Sequence, residues 1–167
     1  HRHFLMSFAI HMHHSERRTA TLDEAYPFLR RYQVRKIHET PIALLEDYIR
    51  RGIIEKEPDG KYTFGHLTHQ KFLAALWLCE KNPVDFIWSK LKSPWWAKVQ
   101  EFYAAKKLDI TDLVRFGSKL KRNSEISGRI FTITKLAPLT SEEAMKIFMR
   151  DAVSLPEYSG RAKTVRL

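Results

Sequence analysis

The sequence contains little cysteine, glycine or proline: one, six and seven residues, respectively, among 167. The single cysteine, Cys79, cannot form an internal disulfide, which excludes a secreted domain held together by disulfides. Six glycines exclude a collagen-like chain. No stretch approaches the roughly 20 apolar residues that a membrane-spanning helix needs, and no signal-peptide pattern is present. We therefore expect a cytoplasmic (intracellular) protein with no membrane partner.

Motifs for catalysis are missing as well. The sequence has no G-x-x-x-x-G-K-[ST] motif, in which backbone amides hold nucleotide phosphates and a hydroxyl binds Mg²⁺. It has no set of Ser, His and Asp residues suited to nucleophilic catalysis, and Cys79 has no partner for that chemistry. We therefore expect that this chain alone neither hydrolyses ATP nor binds a cofactor.

Basic charge is the strongest feature that is present. Lys and Arg number 29 against 19 Asp and Glu, a net charge of +10, and 44% of the residues are hydrophobic. The apolar content excludes a disordered chain. The charge is compatible with a nucleic-acid surface, an anionic membrane surface or one face of a larger assembly. Because the chain starts at His1 and its apolar pattern starts at Phe4, we expect a fragment of a longer protein.

Helical spacing and helix-start signals predict three helices in the first fifty residues. Regular apolar spacing predicts a helix over residues 4–15. Thr21 and Glu24 form a capping box, and Thr40 with Pro41 marks a third helix start. The predicted core-facing residues are Leu5, Phe8, Ala9 and Met12 in the first helix, Leu22, Ala25, Leu29 and Tyr32 in the second, and Leu44, Leu45, Tyr48 and Ile49 in the third.

The period of the sequence pattern then changes from that of a helix to that of a strand, which predicts a β-hairpin. Residues 53–57 and 61–64 flank the turn Pro58-Asp59-Gly60, in which Gly accepts a positive φ and Pro presets its own. Three helices followed by a hairpin are typical of a winged helix. We therefore predict a mainly α protein: a winged helix over residues 1–78, followed by an antiparallel helical array.

The second half of the chain shows further helix starts. Thr68, Asn82-Pro83, Ser93-Pro94 and the capping box Thr140 to Glu143 each predict one, and residues 108–116 predict another short helix. Gly117-Ser118 is predicted to be a break, and the β-branched residues 130–134 are predicted to be a strand or extended chain. The predicted segments are a helical one over 79–116 and a basic one of uncertain fold over 117–167, whose tail from Pro156 is expected to be loose.

The segment after the hairpin carries a resemblance. Residues 64–75 read FGHLTHQKFLAA. This resembles a motif in the winged-helix domain of NACHT-type STAND NTPases: an aromatic, any residue, His, any residue, Ser or Thr, an apolar residue, Gln-Glu, an aromatic and Leu-Ala-Ala. The matching residues are Phe64, His66, Thr68, Gln70 and Phe72. His69 stands where the motif has an apolar residue and Lys71 where it has Glu; the wider resemblance covers roughly residues 4–115.

The resemblance implies a function in a nucleotide-dependent switch. In that family the motif His reaches the phosphates of bound ADP and helps to hold the inactive state, which implies the same role for His66. It also implies ADP or ATP with Mg²⁺ in a parent protein, an upstream NTPase core of the same protein, a homo-oligomer when active, and a role in defence signalling. The alternative for His66 is that it caps the following helix or bonds a carbonyl group.

Nucleic-acid binding is the alternative function. In a winged helix, the third helix and the wing can bind DNA. Here the third helix carries Glu46 and Asp47, Glu39 stands at its entrance, and the wing is acidic at residues 55–59, so these groups would repel phosphate. We expect the basic excess to serve contacts within a larger protein, with a stand-alone nucleic-acid-binding domain as the second hypothesis.

Histidine and tryptophan clusters have two interpretations each. Five of the eight histidines lie in the first 14 residues; they could bind a transition metal, but a solvated helix face is the favoured interpretation because no Cys or carboxylate cluster completes a site. Trp77, Trp88, Trp95 and Trp96 could stack on bases, but their helical phasing favours core or inter-domain packing. Cys79 is expected to be a buried small residue.

Overall fold

The chain folds mainly as α-helices with one small antiparallel sheet. A computed structural model describes residues 2–32, 40–120 and 124–153, and the chain divides into two compact units, His1–Trp77 and Leu78–Leu167. The helices are α1 Arg2–His14, α2 Leu22–Tyr32, α3 Pro41–Arg50, α4 Leu67–Lys81, α5 Val84–Ser89, α6 Ala97–Lys107, α7 Thr111–Ser118, α8 Ser124–Thr134 and α9 Glu142–Val153, with a 3₁₀ turn at Pro94–Trp96. The strands are β1 Thr19–Ala20, β2 Ile54–Lys56 and β3 Tyr62–Phe64.

Helix α1 is buried more completely than its sequence pattern predicts. The predicted stripe is buried in the core of the first unit. Met6, Ile10 and His13 are buried as well, on a further face of the helix. The prediction that the N-terminal histidines form a solvated face is therefore wrong for His13, because that position turns inward; His3 and His14 are exposed.

The capping box at the start of α2 is confirmed. The Glu24 backbone N–H donates to the Thr21 hydroxyl at 3.3 Å, and the Glu24 carboxylate accepts from the Thr21 backbone N–H at 2.8 Å. The hydrogen bond from the Thr21 amide and one from Arg17 hold the pKa of Glu24 below its usual value. The Thr40 cap of α3 is confirmed too, since its side chain accepts from the Ala43 backbone N–H at 3.1 Å.

The predicted hairpin is confirmed, and a third strand joins it. In β2 and β3, Ile54 pairs with Phe64, and Gly60 in the connecting turn has φ +82°. Strand β1, which sequence analysis missed, pairs antiparallel with β3, so the sheet order is β1-β3-β2. The sheet places Phe64 in the core, where its ring lies 5.9 Å from that of Phe8.

The helix starts predicted at two prolines are correct in position but not in mechanism. Asn82 does not cap α5; it has φ +45° at the end of α4, and its side-chain oxygen accepts from the Tyr103 hydroxyl at 3.0 Å. Pro83 occupies the cap position. Ser93 stands before the 3₁₀ turn and makes no side-chain capping bond.

Gly117 is a packing residue, and the break predicted at Gly117-Ser118 begins two residues later, because α7 continues to Ser118. It lies buried inside α7, where a Cβ would come within 2.1 Å of the Trp88 ring. Helix α7 packs on α5 and α9. The predicted segment limit at residue 117 therefore falls within a helix of the second unit.

Residues 130–134 are helical, not extended. Ile130 and Ile133 are fully buried in α8. Arg129 fixes this helix to α6 by donating to the Gln100 side-chain oxygen at 2.5 Å and to the Ala97 carbonyl. Tertiary packing outweighs the β-branched composition here, because intrinsic propensity is a weak preference.

Helix α9 starts where the sequence predicts, but with a different cap. The Ser141 hydroxyl accepts from the Ala144 backbone N–H at 3.3 Å. Thr140, the predicted cap, instead accepts from the Ile110 backbone N–H at 3.1 Å. Residues 121–123, which include the basic Lys121 and Arg122, and the tail from Pro156 lie outside the described residues.

Candidate functional site

The motif His lies at the junction of the sheet and α4. His66 is separated from the end of β3 by Gly65 and is exposed. Its carbonyl accepts from the His69 and Gln70 backbone N–H groups at 2.9 and 3.4 Å. Its Nδ1 accepts from the Thr68 backbone N–H at 3.5 Å. His66 therefore makes the helix-capping contacts that the sequence analysis gave as the alternative to a nucleotide contact. Thr68, which the sequence predicts to cap α4, lies in the first turn of that helix.

The capping contact determines which nitrogen of His66 can act on a ligand. Because Nδ1 accepts a hydrogen bond, the proton of the neutral imidazole belongs on Nε2. An exposed Nε2–H can donate to a phosphate oxygen. It suits a metal ion poorly, because a histidine bound through Nε2 normally keeps a proton on Nδ1. The geometry favours anion contact over metal binding while leaving the cap intact.

Gly65 lets the chain approach the hairpin closely just before His66. An alanine Cβ at this position would lie 2.9 Å from the Gly52 carbonyl oxygen and 2.9 Å from Glu55 Oε1. The Gly65 backbone N–H donates to the Ile53 carbonyl at 3.2 Å. The missing side chain therefore allows the contact that positions His66.

We expect Gly65→Ala to destabilise the first unit by about 1–3 kcal/mol, as overpacking does elsewhere. Chemical denaturation of the 167-residue chain measures this. Adding Glu55→Ala removes one of the two clashes, so the double variant should recover part of the loss. Unchanged stability in Gly65→Ala would show that the approach to Gly52 is not tight.

The other motif residues are structural. Phe64 is buried in the core of the first unit. Gln70 is buried, and its side-chain amide donates to the Arg17 carbonyl at 2.9 Å. Thr63 donates to the neighbouring Arg18 carbonyl at 2.9 Å. Strand β3 and α4 are thereby tied to the turn after α1. Sequence analysis missed this connection because its partners are backbone carbonyls 45 and 53 residues away.

Phe72 lies at the surface of α4. It is 41% exposed and lines a cavity of about 250 Å³ together with Leu5, Ile53, His69 and Leu73. The cavity is apolar except for the His69 ring. Lys71, which replaces the motif Glu, is partly buried.

One of the acidic residues of α3 is paired with basic residues, which the sequence analysis did not predict. Asp47 pairs with Arg50 at 3.3 Å and with Arg51 at 2.9 Å. Its negative charge is therefore largely offset, and the expected repulsion of phosphate rests on Glu46 and the wing. In the wing, Asp59 pairs with Lys61 at 2.7 Å, and the Lys61 side chain and backbone hold the pKa of Asp59 below its usual value.

The remaining candidates have structural roles. Trp96 is buried, and Trp77, Trp88 and Trp95 are partly buried, as core packing predicts. Burial raises the pKa of the Cys79 thiol, so it remains a protonated packing residue. Within the described residues no group of three or more His, Cys, Asp or Glu side chains could hold a metal ion. In that same part of the chain, no helix is long and apolar enough to cross a membrane.

Two comparisons with known proteins were made on the sequence, and neither found a match. No protein-family model and no curated protein sequence matches the chain.

Proposed function

We propose that the chain is the winged-helix and helical regulatory module of a NACHT-like STAND signalling ATPase. In this role it contacts bound ADP or ATP and controls a nucleotide-dependent switch and oligomerisation, with defence as the signalling context. The support is the motif of residues 64–75 together with its place in the fold. The hairpin follows three helices and leads directly into α4, which is the order that the motif has in that domain.

The observation that carries the proposal is the exposed ring of His66. A contact to a nucleotide requires a donor that is both fixed and accessible. The backbone between β3 and α4 sets the position of His66, its Nδ1 accepts from the Thr68 N–H at 3.5 Å, and the residue is exposed, which leaves Nε2–H for a ligand. A phosphate oxygen is the acceptor that such a donor fits.

The other parts of a nucleotide site must come from elsewhere in the parent protein. The 167 residues contain no G-x-x-x-x-G-K-[ST] motif, whose backbone amides hold phosphates and whose hydroxyl binds Mg²⁺. The chain therefore supplies a phosphate contact, and the proposed upstream NTPase core supplies the phosphate-binding loop and the metal. A switch of this kind works only if nucleotide stabilises one arrangement more than another.

The experiment is the release of ADP from the parent protein with and without the His66 ring. Purified parent protein should retain ADP, and His66→Ala should lose it faster and signal without a stimulus. Unchanged ADP release with unchanged resting activity would overturn the proposal.

A second candidate function is DNA binding by α3. Arg50 and Arg51 lie at the end of this helix, and their side chains are 76% and 63% exposed. Each of them forms an ion pair with Asp47. An electrophoretic shift with duplex DNA over a salt series tests this function. We expect no binding by the 167-residue chain even at low salt, because Glu46 and the acidic wing remain. Binding that weakens steeply with salt would favour the DNA-binding hypothesis instead.

A further inference from the structure

His69 is the least explained residue of the motif segment. The family pattern has an apolar residue there, and an apolar side chain would suit the cavity of Leu5, Ile53, Phe72 and Leu73 that His69 lines. A polar ring at this position therefore needs a different reason. Both His69 and His66 are exposed, and their ring centroids are 6.0 Å apart with the planes inclined by 56°.

We infer that His69 is a second phosphate-contacting residue, which binds the same nucleotide phosphates as His66. This inference rests on the proposed function. It specifies the site as a pair of neighbouring imidazoles that donate to the same phosphate group or to two linked phosphates, and it distinguishes this chain from the family pattern.

The spacing of the two rings allows a shared anion. Hydrogen bonds from an imidazole to an anionic oxygen are about 2.7–2.9 Å long. Rings with centroids 6.0 Å apart can therefore each direct a nitrogen to a different oxygen of one phosphate or of two linked phosphates.

The chain permits a substitution that removes the contact without disturbing the fold. Leucine at position 69 restores the apolar character that the family has, and its neighbours in the cavity are apolar. His69→Leu should therefore keep the melting temperature of the 167-residue chain. His69→Gln keeps a donor and should keep part of the phosphate contact. His14, exposed on α1, provides a matched control in His14→Ala.

The experiment measures the affinity of the parent protein for ADP and for adenosine, which lacks phosphates. We expect His69→Leu to weaken ADP binding about tenfold, the factor that one charged hydrogen bond supplies. Adenosine affinity should not change, His69→Gln should recover part of the ADP affinity, and His14→Ala should behave like the unaltered protein.

The outcomes separate the two proposals. If His66→Ala weakens ADP binding while His69→Leu does not, the inference about His69 is overturned and the proposed function stands. If neither variant changes ADP affinity, both are overturned. An equal loss of ADP and adenosine affinity in His69→Leu would show that the residue acts on the shape of the site, which also overturns a phosphate contact.

Discussion

Loss of the His66 ring is expected to speed ADP release from the parent protein by about tenfold to a hundredfold. A hydrogen bond to a charged group contributes about 1.5–3 kcal/mol, and each 1.4 kcal/mol corresponds to about a factor of ten. The ring is exposed and its Nδ1 already accepts from the Thr68 N–H, so a nucleotide would interact with Nε2. Stopped-flow measurement with a fluorescent ADP analogue gives the rate.

Two variants make this result specific. His66→Gln retains a side-chain donor, and we expect it to release ADP more slowly than His66→Ala. His14→Ala removes an exposed imidazole from α1, and its release rate should equal that of the unaltered protein. Equal acceleration in all three variants would mean that the measurement reports general destabilisation and no contact at His66.

Gly117→Ala is expected to be among the most destabilising single changes in the second unit. A Cβ there would lie 2.1 and 2.3 Å from two atoms of the Trp88 ring and 3.1 Å from Phe148. Such distances require the ring to move or α7 to separate from α5. We expect a loss of about 3 kcal/mol, at the upper end of the range for overpacked cores, measured by urea denaturation of the 167-residue chain.

Gly128→Ala is the matched control because it also replaces a glycine inside a helix. Its Cβ would meet nothing within 4 Å. Alanine there restricts the unfolded chain and favours the helix, so we expect a gain of about 0.4–1 kcal/mol. A loss of stability in both variants, or in neither, would contradict the packing role of Gly117.

Local signals in the sequence were sufficient for two helix caps and for the hairpin turn. The Thr21–Glu24 capping box, the Thr40 cap and the turn at Gly60 all form as predicted. In each case the interacting groups lie within a few residues of one another, so side-chain chemistry and spacing determine the geometry.

Signals failed where a distant partner decides the outcome. The sequence predicts a break at Gly117, yet this glycine lies in a helix and packs closely against the Trp88 ring. Residues 130–134 are predicted to be a strand or extended chain, yet burial of Ile130 and Ile133 and the hydrogen bonds of Arg129 to α6 hold them in a helix. Asn82 is predicted to cap a helix, yet its side-chain oxygen accepts a hydrogen bond from the Tyr103 hydroxyl. No local pattern contains these partners.

The candidate site also combines features that depend on neighbouring residues with features that depend on distant ones. The position of His66 between strand and helix follows from the turn and from the helix start after β3. The attachment of Gln70 to the Arg17 carbonyl and the pairing of β1 with β3 depend on chain folding over more than forty residues. The nearness of His66 and His69 follows from their spacing of three residues across the start of α4, but their shared exposure required the structure.

The most direct measurement is a structure of the parent protein with ADP bound. The account predicts an Nε2 to phosphate-oxygen distance of about 2.7–2.9 Å at His66, with Nδ1 still accepting from the Thr68 N–H. A bound ADP whose phosphates lie beyond hydrogen-bonding reach of an ordered His66 ring would contradict it.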